Sequence, residues 1–152
     1  MNGSRIILFL DFDGVLHPRV PAAGSEMFRA LPLLNEALEE LQNLRIVVTS
    51  SWRHHPKDLA WALGLFPSEL RQRVLGCTPL IGGKGERERE ILDWLRDCAE
   101  ERPAVAILDD EPELFSGLRT SIFSVNGTTG LVREDIFRLR AWLLQRSGRA
   151  VL

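Results

Sequence analysis

Two short apolar runs of this chain end in paired carboxylates, and this feature restricts the possible fold more than any other. The first run covers residues 6–10 and the second covers residues 105–108. Short runs that are apolar throughout are typical of strands buried on both faces of a parallel sheet. The acids that follow the two runs are Asp11, Asp13, Asp109 and Asp110. Because the carboxyl ends of adjacent parallel strands meet at one edge of a sheet, we expect these acids to lie together at that edge.

Strand-like and helix-like segments alternate along the chain, and this alternation predicts the fold class. The predicted strands cover residues 5–10, 45–49, 74–77, 104–108 and 122–125. Helical spacing of apolar residues predicts helices around residues 34–41, 59–63, 86–99, 114–118 and 136–144. In the last of these, Phe137 and Leu144 are expected to widen the buried face. The pattern predicts an α/β fold, with a central, mainly parallel five-stranded sheet between two helical layers.

Size and charge narrow the classes of protein to consider. The 152 residues, 45% of them hydrophobic, fit one soluble domain spanning residues 1–152. The formal net charge of −2 gives no protein-wide attraction for nucleic acid. No apolar run reaches membrane-spanning length, and the first strand follows the N-terminus with no signal peptide. We therefore expect a cytoplasmic protein without a membrane partner.

The acidic edge suits a hard divalent cation. Two carboxylates held close together repel each other unless a cation neutralises them or one of them is protonated. Oxygen ligands in this number favour Mg²⁺. Two other interpretations remain open: Asp11 and Asp13 as a solvated turn, and Asp109 and Asp110 as the cap of a following helix.

Further polar groups are expected near this edge. Thr49, Ser50 and Ser51 follow the second strand, where their hydroxyls and amides could donate to a phosphate or could cap the next helix. Arg53 could form a two-pronged contact with phosphate. Lys84 is flanked by glycines in a flexible segment, which could place its ammonium group against a bound anion. Alternatively, Lys84 could lie in a surface turn with no such contact.

The order of these motifs resembles the haloacid dehalogenase (HAD) superfamily. Its members carry an Asp-x-Asp motif after the first strand, a Thr or Ser after the second, a Lys or Arg before the fourth and an acidic pair after it. Here these are Asp11 with Asp13, one of the hydroxyls at residues 49–51, Lys84, and Asp109 with Asp110. The sequences Ser51-Trp52-Arg53 and Thr129-Gly130-Leu131 are similar to a small subgroup, some of whose members are linked to RNA-repair proteins.

This resemblance implies a Mg²⁺-dependent phosphatase with a Rossmann-like core. Asp11 would be the nucleophile, and Asp13 the general acid and base that reaches the metal through its backbone carbonyl. Asp109 and Asp110 would complete the metal site, and Gly14 would lie against the substrate. Ser50 is the preferred second-strand hydroxyl, with Thr49 and Ser51 beside the substrate.

Two further expectations follow from the resemblance. Arg87 is the alternative to Lys84 as the cation of the third motif. The chain has no room for a cap domain, so the site should be open to a bulky phosphorylated substrate such as a polynucleotide end. The rival interpretations are a metal-bound interaction module without catalysis and a phosphatase of small metabolites.

Overall fold

A five-stranded, entirely parallel sheet forms the centre of the molecule, as the sequence predicts. The computed structural model describes residues 5–82, 86–98 and 102–148. The strands are β1 (Ile6–Leu10), β2 (Leu44–Val48), β3 (Val74–Cys77), β4 (Ala104–Asp109) and β5 (Ile122–Ser124). Their order in the sheet is β3-β2-β1-β4-β5, and every neighbouring pair is parallel.

Helices cover both faces of the sheet and complete a Rossmann-like three-layer α/β/α sandwich. They are α1 (Leu31–Leu38), α2 (Pro56–Gly64), α3 (Ser68–Arg71), α4 (Arg87–Arg96) and α5 (Arg133–Arg146). Apolar residues of α1, α2, α3 and α5 pack in one core cluster, whereas Ile91 of α4 belongs to a second.

The alternation of side chains along β1 explains why both faces need cover. Leu8 and Leu10 pack in the core under α1 and α5, while Ile7 and Phe9 pack in the core under α4. Every residue of β1 is buried, and successive side chains of a strand point to opposite faces. A strand that is apolar on both faces is therefore central, and β1 lies in the middle of the sheet.

Two details of the predicted helices were wrong. No α-helix forms at residues 114–118, where a single 3₁₀ turn, Pro112–Leu114, is followed by a loop. The carboxylate of Glu88 accepts the backbone amides of that loop and so replaces helical hydrogen bonds. Phe137 is 77% exposed because it lies off the helical stripe formed by Ile136 and Leu139, although Leu144 does pack against the core.

No cap domain covers the carboxyl ends of the strands in the described part of the chain. Residues between β1 and β2 form a loop, a short 3₁₀ turn (Gly24–Glu26) and α1. Residues between β2 and β3 form the turn Ser51–His54 and the helices α2 and α3. Within the described ranges, no helix has the length and apolarity needed to cross a membrane.

Candidate active site

Three acids converge at the carboxyl edge of the two central strands. Asp11, Asp109 and Asp110 each contribute one carboxylate oxygen, and these three oxygens lie within 4.8 Å of one another. All three residues are buried. The parallel pairing of β1 with β4 produces this arrangement, because it places Leu10 opposite Leu108. The predicted convergence is therefore found for these three residues. The side chain of Asp13 is not part of the group.

Gly14 lets the turn after β1 approach Asp110 closely. Its φ of 79° lies in the left-handed region, which side chains other than glycine rarely adopt. A Cβ at this position would also overlap the carboxylate of Asp110. Gly14 thus shapes the acidic group, whereas its predicted contact with substrate stays a prediction.

Arg87 is the cation that the structure places against the acids. From the first turn of α4, its Nη1 lies 2.8 Å from Asp109 Oδ2 and 3.2 Å from Asp11 Oδ2, and its side chain is buried. Burial raises the pKa of Asp11 well above its usual value; Arg87 opposes this shift, and the neighbouring acids add to it. Burial likewise raises the pKa of Asp109 against the opposing charge of Arg87. Lys84, the first choice for this cation, lies outside the described residues.

Asp13 is held apart from the three acids by two side chains that the sequence analysis did not assign to the site. Its Oδ1 accepts hydrogen bonds from His17 Nε2 at 2.8 Å and from Trp52 Nε1 at 3.2 Å. The backbone amide of Phe28 donates to His17 Nδ1, which leaves the ring proton of a neutral His17 on Nε2. Burial alone would raise the pKa of Asp13, but the two hydrogen bonds outweigh it and lower that pKa.

A comparison of the sequence with known families shows which family carries these residues. The family described as the HAD domain in Swiss Army Knife RNA repair proteins matches residues 7–136. The chain belongs to this family. The matched segment includes β1 from its second residue, the acids, Arg87 and the residues that hold Asp13. No curated protein and no solved structure gives a significant match.

The hydroxyls after β2 differ in their environments within this HAD domain. Ser50 is buried, and its Oγ accepts the amide of Trp52 at 3.3 Å, so it caps the turn that follows. Thr49 is also buried, but its Oγ1 has no hydrogen-bond partner within the described residues. Ser51 is exposed. Capping was one of the two open interpretations of Ser50; its role as the second-strand hydroxyl, and the roles of Thr49 and Ser51 towards substrate, stay predictions.

Arg53 does not occupy the place expected of a contact for phosphate. Its guanidinium is buried and donates inward, from Nε to Ser50 O at 2.7 Å and from Nη1 to Thr78 O at 2.9 Å. Nη2 forms an ion pair with Glu90 Oε1 at 3.1 Å. Arg53 therefore joins the end of β2 to α4 and to the segment after β3. The sequence could not show this because Glu90 is 37 residues away in the chain.

The loop after the first motif lies over the acidic edge. Arg19 donates from Nε to Asp110 Oδ2 at 2.8 Å, and its amide donates to Gly127 O at 2.8 Å. The side chain of Arg19 is 51% exposed, so this cation lies at the open side of the site. The sequence gives no signal for it beyond its position in the loop.

The cavities formed by the described residues include two near the sheet. One of about 290 Å³ opens beside the end of β2, and its lining residues are Ser51, Trp52, His54, His55 and Asp58. Another of about 790 Å³ lies against β3 and α4, and none of the four acids lines it. Of these two cavities, the one of about 290 Å³ adjoins Trp52, which donates a hydrogen bond to Asp13.

Proposed function

We propose that this HAD domain hydrolyses phosphomonoesters through a phosphoaspartate on Asp11, with Mg²⁺ as its cofactor. The observation that carries the proposal is the division of the acids into two groups. Asp11, Asp109 and Asp110 converge beside Arg87, while Asp13 is hydrogen-bonded separately to His17 and so remains available for proton transfer.

The three buried acids fit a magnesium ion. Three carboxylates converge, and Arg87 bonds to two of them while Arg19 bonds to the third, so three negative charges face two guanidinium groups and negative charge remains in excess. Oxygen ligands from Asp11, Asp109 and Asp110 would hold Mg²⁺, with the backbone carbonyl of Asp13 as a further ligand. The ion would supply positive charge against the phosphate oxygens.

The first step transfers the phosphoryl group to the protein. A carboxylate oxygen of Asp11 attacks phosphorus, and the bond from phosphorus to the leaving oxygen breaks. Asp13 donates a proton to that oxygen, which departs as an alcohol. Arg87, already beside Asp11, stabilises negative charge on the transferring group.

The second step returns the protein to its starting state. Asp13, now a carboxylate, takes a proton from water while the water oxygen attacks phosphorus, and the bond between phosphorus and Asp11 breaks. Inorganic phosphate leaves with the Asp11 carboxylate restored. The pKa of Asp13 is lowered, which favours the carboxylate form that accepts the proton in this step. The negative charge of a bound phosphate opposes this lowering and favours the protonated form of Asp13 that the first step requires.

For the substrate we propose a phosphate at a polynucleotide end. The family is named from RNA repair proteins, and the acidic edge has no cap in the described chain. Arg19 is a half-exposed cation at this edge, where it is available to a neighbouring phosphate. With a net charge of −2, any attraction must come from such local groups.

The first test is phosphate release from an aryl phosphate with and without Mg²⁺. We expect activity in Mg²⁺ and none after chelation. Asp11→Asn should abolish turnover, and Asp13→Asn should lower it by roughly 100- to 10,000-fold and accumulate phosphoprotein. Asp97→Asn, at a side chain 79% exposed on the surface, is the matched control. Near-normal turnover by Asp11→Asn would exclude the phosphoaspartate mechanism.

The second test concerns the substrate. The catalytic efficiency on a phosphorylated oligonucleotide is compared with that on the matching mononucleotide at low and moderate salt. We expect the oligonucleotide to be preferred, with a preference that shrinks as salt is added. Equal efficiency on both at low salt would contradict the polynucleotide assignment and leave the phosphatase assignment intact.

A further inference from the structure

A group of aromatic rings extends from Asp13 to the protein surface. Trp52 donates its indole N–H to Asp13, and its ring is parallel to that of Trp61 within 13°, with 6.2 Å between the ring centroids. Phe28 packs edge-on against both indoles, at 5.2 Å from Trp52 and 6.0 Å from Trp61. We call Phe28, Trp52 and Trp61 the aromatic group.

Trp61 is the outer member of the aromatic group and is only partly covered. It lies on α2 and remains 56% exposed, whereas Phe28 is buried. At a centroid distance of 6.2 Å the two parallel rings are offset, so Trp52 covers only part of Trp61. Large aromatic side chains usually bury most of their surface, so an exposed indole beside an active site invites a functional explanation.

The position of the aromatic group relative to Asp13 indicates what it would meet. The proposed acid must contact the leaving oxygen, so the remainder of the substrate extends from the phosphate on the Asp13 side. Trp52 contacts Asp13 directly, and Trp61 lies one ring further out. In a nucleotide, the leaving oxygen belongs to the sugar and the sugar carries the base, so the base would reach this region.

We propose that Trp61 stacks on the nucleobase of the nucleotide that carries the scissile phosphate. The proposal rests on the proposed phosphatase function for the position of the phosphate, and it adds a base-binding site on α2. Base stacking on an aromatic ring tolerates any base, because every base has a π face. The site would therefore select nucleotides over other phosphomonoesters without selecting a base sequence.

The polar and charged residues around Trp61 are compatible with a bound nucleotide. His54, His55 and Lys57 are exposed in the turn before α2 and its first residues, and Asp58 is the acid among them. Lys57 offers a cation for a neighbouring phosphate of the strand. The cavity lined by Ser51 and Trp52 connects this turn with the end of β2.

The experiment compares two ligands that differ only in the base. One is a short oligonucleotide with a terminal phosphate, and the other is the same oligonucleotide with an abasic terminal nucleotide; each is prepared as a 5′- and as a 3′-phosphate. Binding is measured by fluorescence anisotropy in Mg²⁺ with the Asp11→Asn variant, which is expected not to turn over. Catalytic efficiency on the same ligands is measured with the unmodified protein.

Trp61→Leu is the test variant, because leucine keeps an apolar contact with Trp52 and Phe28 but removes the ring. We expect it to weaken binding of the base-containing ligand by about tenfold, as for loss of one stacked base, and to leave the abasic ligand unchanged. Trp61→Phe should restore part of the difference. Phe137→Leu, on an exposed aromatic of α5, is the matched control and should change neither ligand.

Each outcome decides the proposal. A preference for the base that disappears in Trp61→Leu supports it, even if no phosphate is released, in which case the phosphatase proposal alone fails. Equal weakening of both ligands by Trp61→Leu overturns it, since that result indicates a general change in the site. No preference for the base, or no binding of either ligand, also overturns it and leaves Trp61 as a contact for a partner protein.

Discussion

At the scale of single residues, Gly14 determines how closely the turn after β1 approaches Asp110. A methyl group there would overlap a carboxylate that belongs to the acidic group, and φ of 79° is unfavourable for any side chain. The position therefore links backbone conformation to the proposed metal site. A substitution at Gly14 should affect both properties at once.

We predict that Gly14→Ala weakens Mg²⁺ binding and destabilises the fold by about 1–2 kcal/mol from the left-handed backbone alone. Isothermal titration with Mg²⁺ and urea unfolding measure the two effects. Gly24→Ala is the control, because nothing lies within 4 Å of a Cβ at Gly24. Unchanged Mg²⁺ affinity in Gly14→Ala would show that Asp110 does not need its present position to hold the ion.

Arg53 illustrates a residue whose buried contacts favour a role in stability. Its ion pair with Glu90 is buried on both sides, with side chains 5% and 3% exposed. Removing one partner of such a pair leaves the other charge buried without compensation.

We predict that Arg53→Met destabilises the protein by roughly 3–5 kcal/mol and leaves KM unchanged for the fraction that stays folded. Adding Glu90→Met should recover part of the loss, because it removes the uncompensated charge. Arg96→Ala, which breaks an exposed pair with Asp93, should cost less than about 1 kcal/mol in the same urea unfolding experiment. A large rise in KM for Arg53→Met would indicate instead that Arg53 contacts the substrate.

At the scale of elements, α4 connects three parts of the molecule from its first four residues. Arg87 reaches the acids, Glu88 accepts the amides of residues 116 and 117, and Glu90 pairs with Arg53. Burial would raise the pKa of Glu88, but the hydrogen bonds from these amides together outweigh it and lower that pKa below the usual glutamate value. The charged form of Glu88 therefore stabilises the loop after β4.

The lowered pKa of Glu88 predicts a pH-dependent stability. A depressed folded-state pKa contributes stability that is complete above the ordinary glutamate pKa and is lost as the pH falls through the folded-state pKa. Glu88→Gln should thus be less stable than the parent at pH 7, by roughly 0.5 kcal/mol for a partly exposed group, and the difference should shrink as the pH falls through the folded-state pKa of Glu88. Thermal unfolding across this range measures the difference. Glu69→Gln, on the exposed side of α3, should show no such convergence.

The elements also show which predictions the sequence supports. The strands were correct to within one or two residues because five short apolar runs bounded by polar residues leave few alternatives. The helix at residues 114–118 was wrong because its amides bond to Glu88, a contact that local periodicity cannot reveal. His17 and Trp52 were missed for the same reason, since their hydrogen bonds to Asp13 exist only after the turns on either side have folded.

At the scale of the whole molecule, burial of the three acids is unfavourable for the free energy of folding. Three buried carboxylates share one buried guanidinium, and burial raises the pKa of both Asp11 and Asp109. A cation that binds only the folded chain would offset this cost for the entire fold.

We predict that Mg²⁺ at about 100 times its dissociation constant stabilises the protein by about 2.7 kcal/mol. For a chain of this size that corresponds to a rise in Tm of about 5–10 °C. The rise should disappear in Asp109→Asn and persist in Asp97→Asn, as measured by thermal unfolding in Mg²⁺ and in chelator. An equal rise in both variants would place the binding of Mg²⁺ elsewhere.

The uncovered carboxyl edge has a consequence for the fate of the phosphoryl group. With no cap in the described chain, dissolved molecules can reach the phosphoryl group that the proposed mechanism places on Asp11. Any dissolved alcohol then competes with water as the acceptor, and the ratio of phosphate to new phosphoester follows their relative concentrations. Under the proposed mechanism the chain would act as a hydrolase because water is abundant, and concentrated glycerol would make it act as a phosphotransferase without any change in its residues.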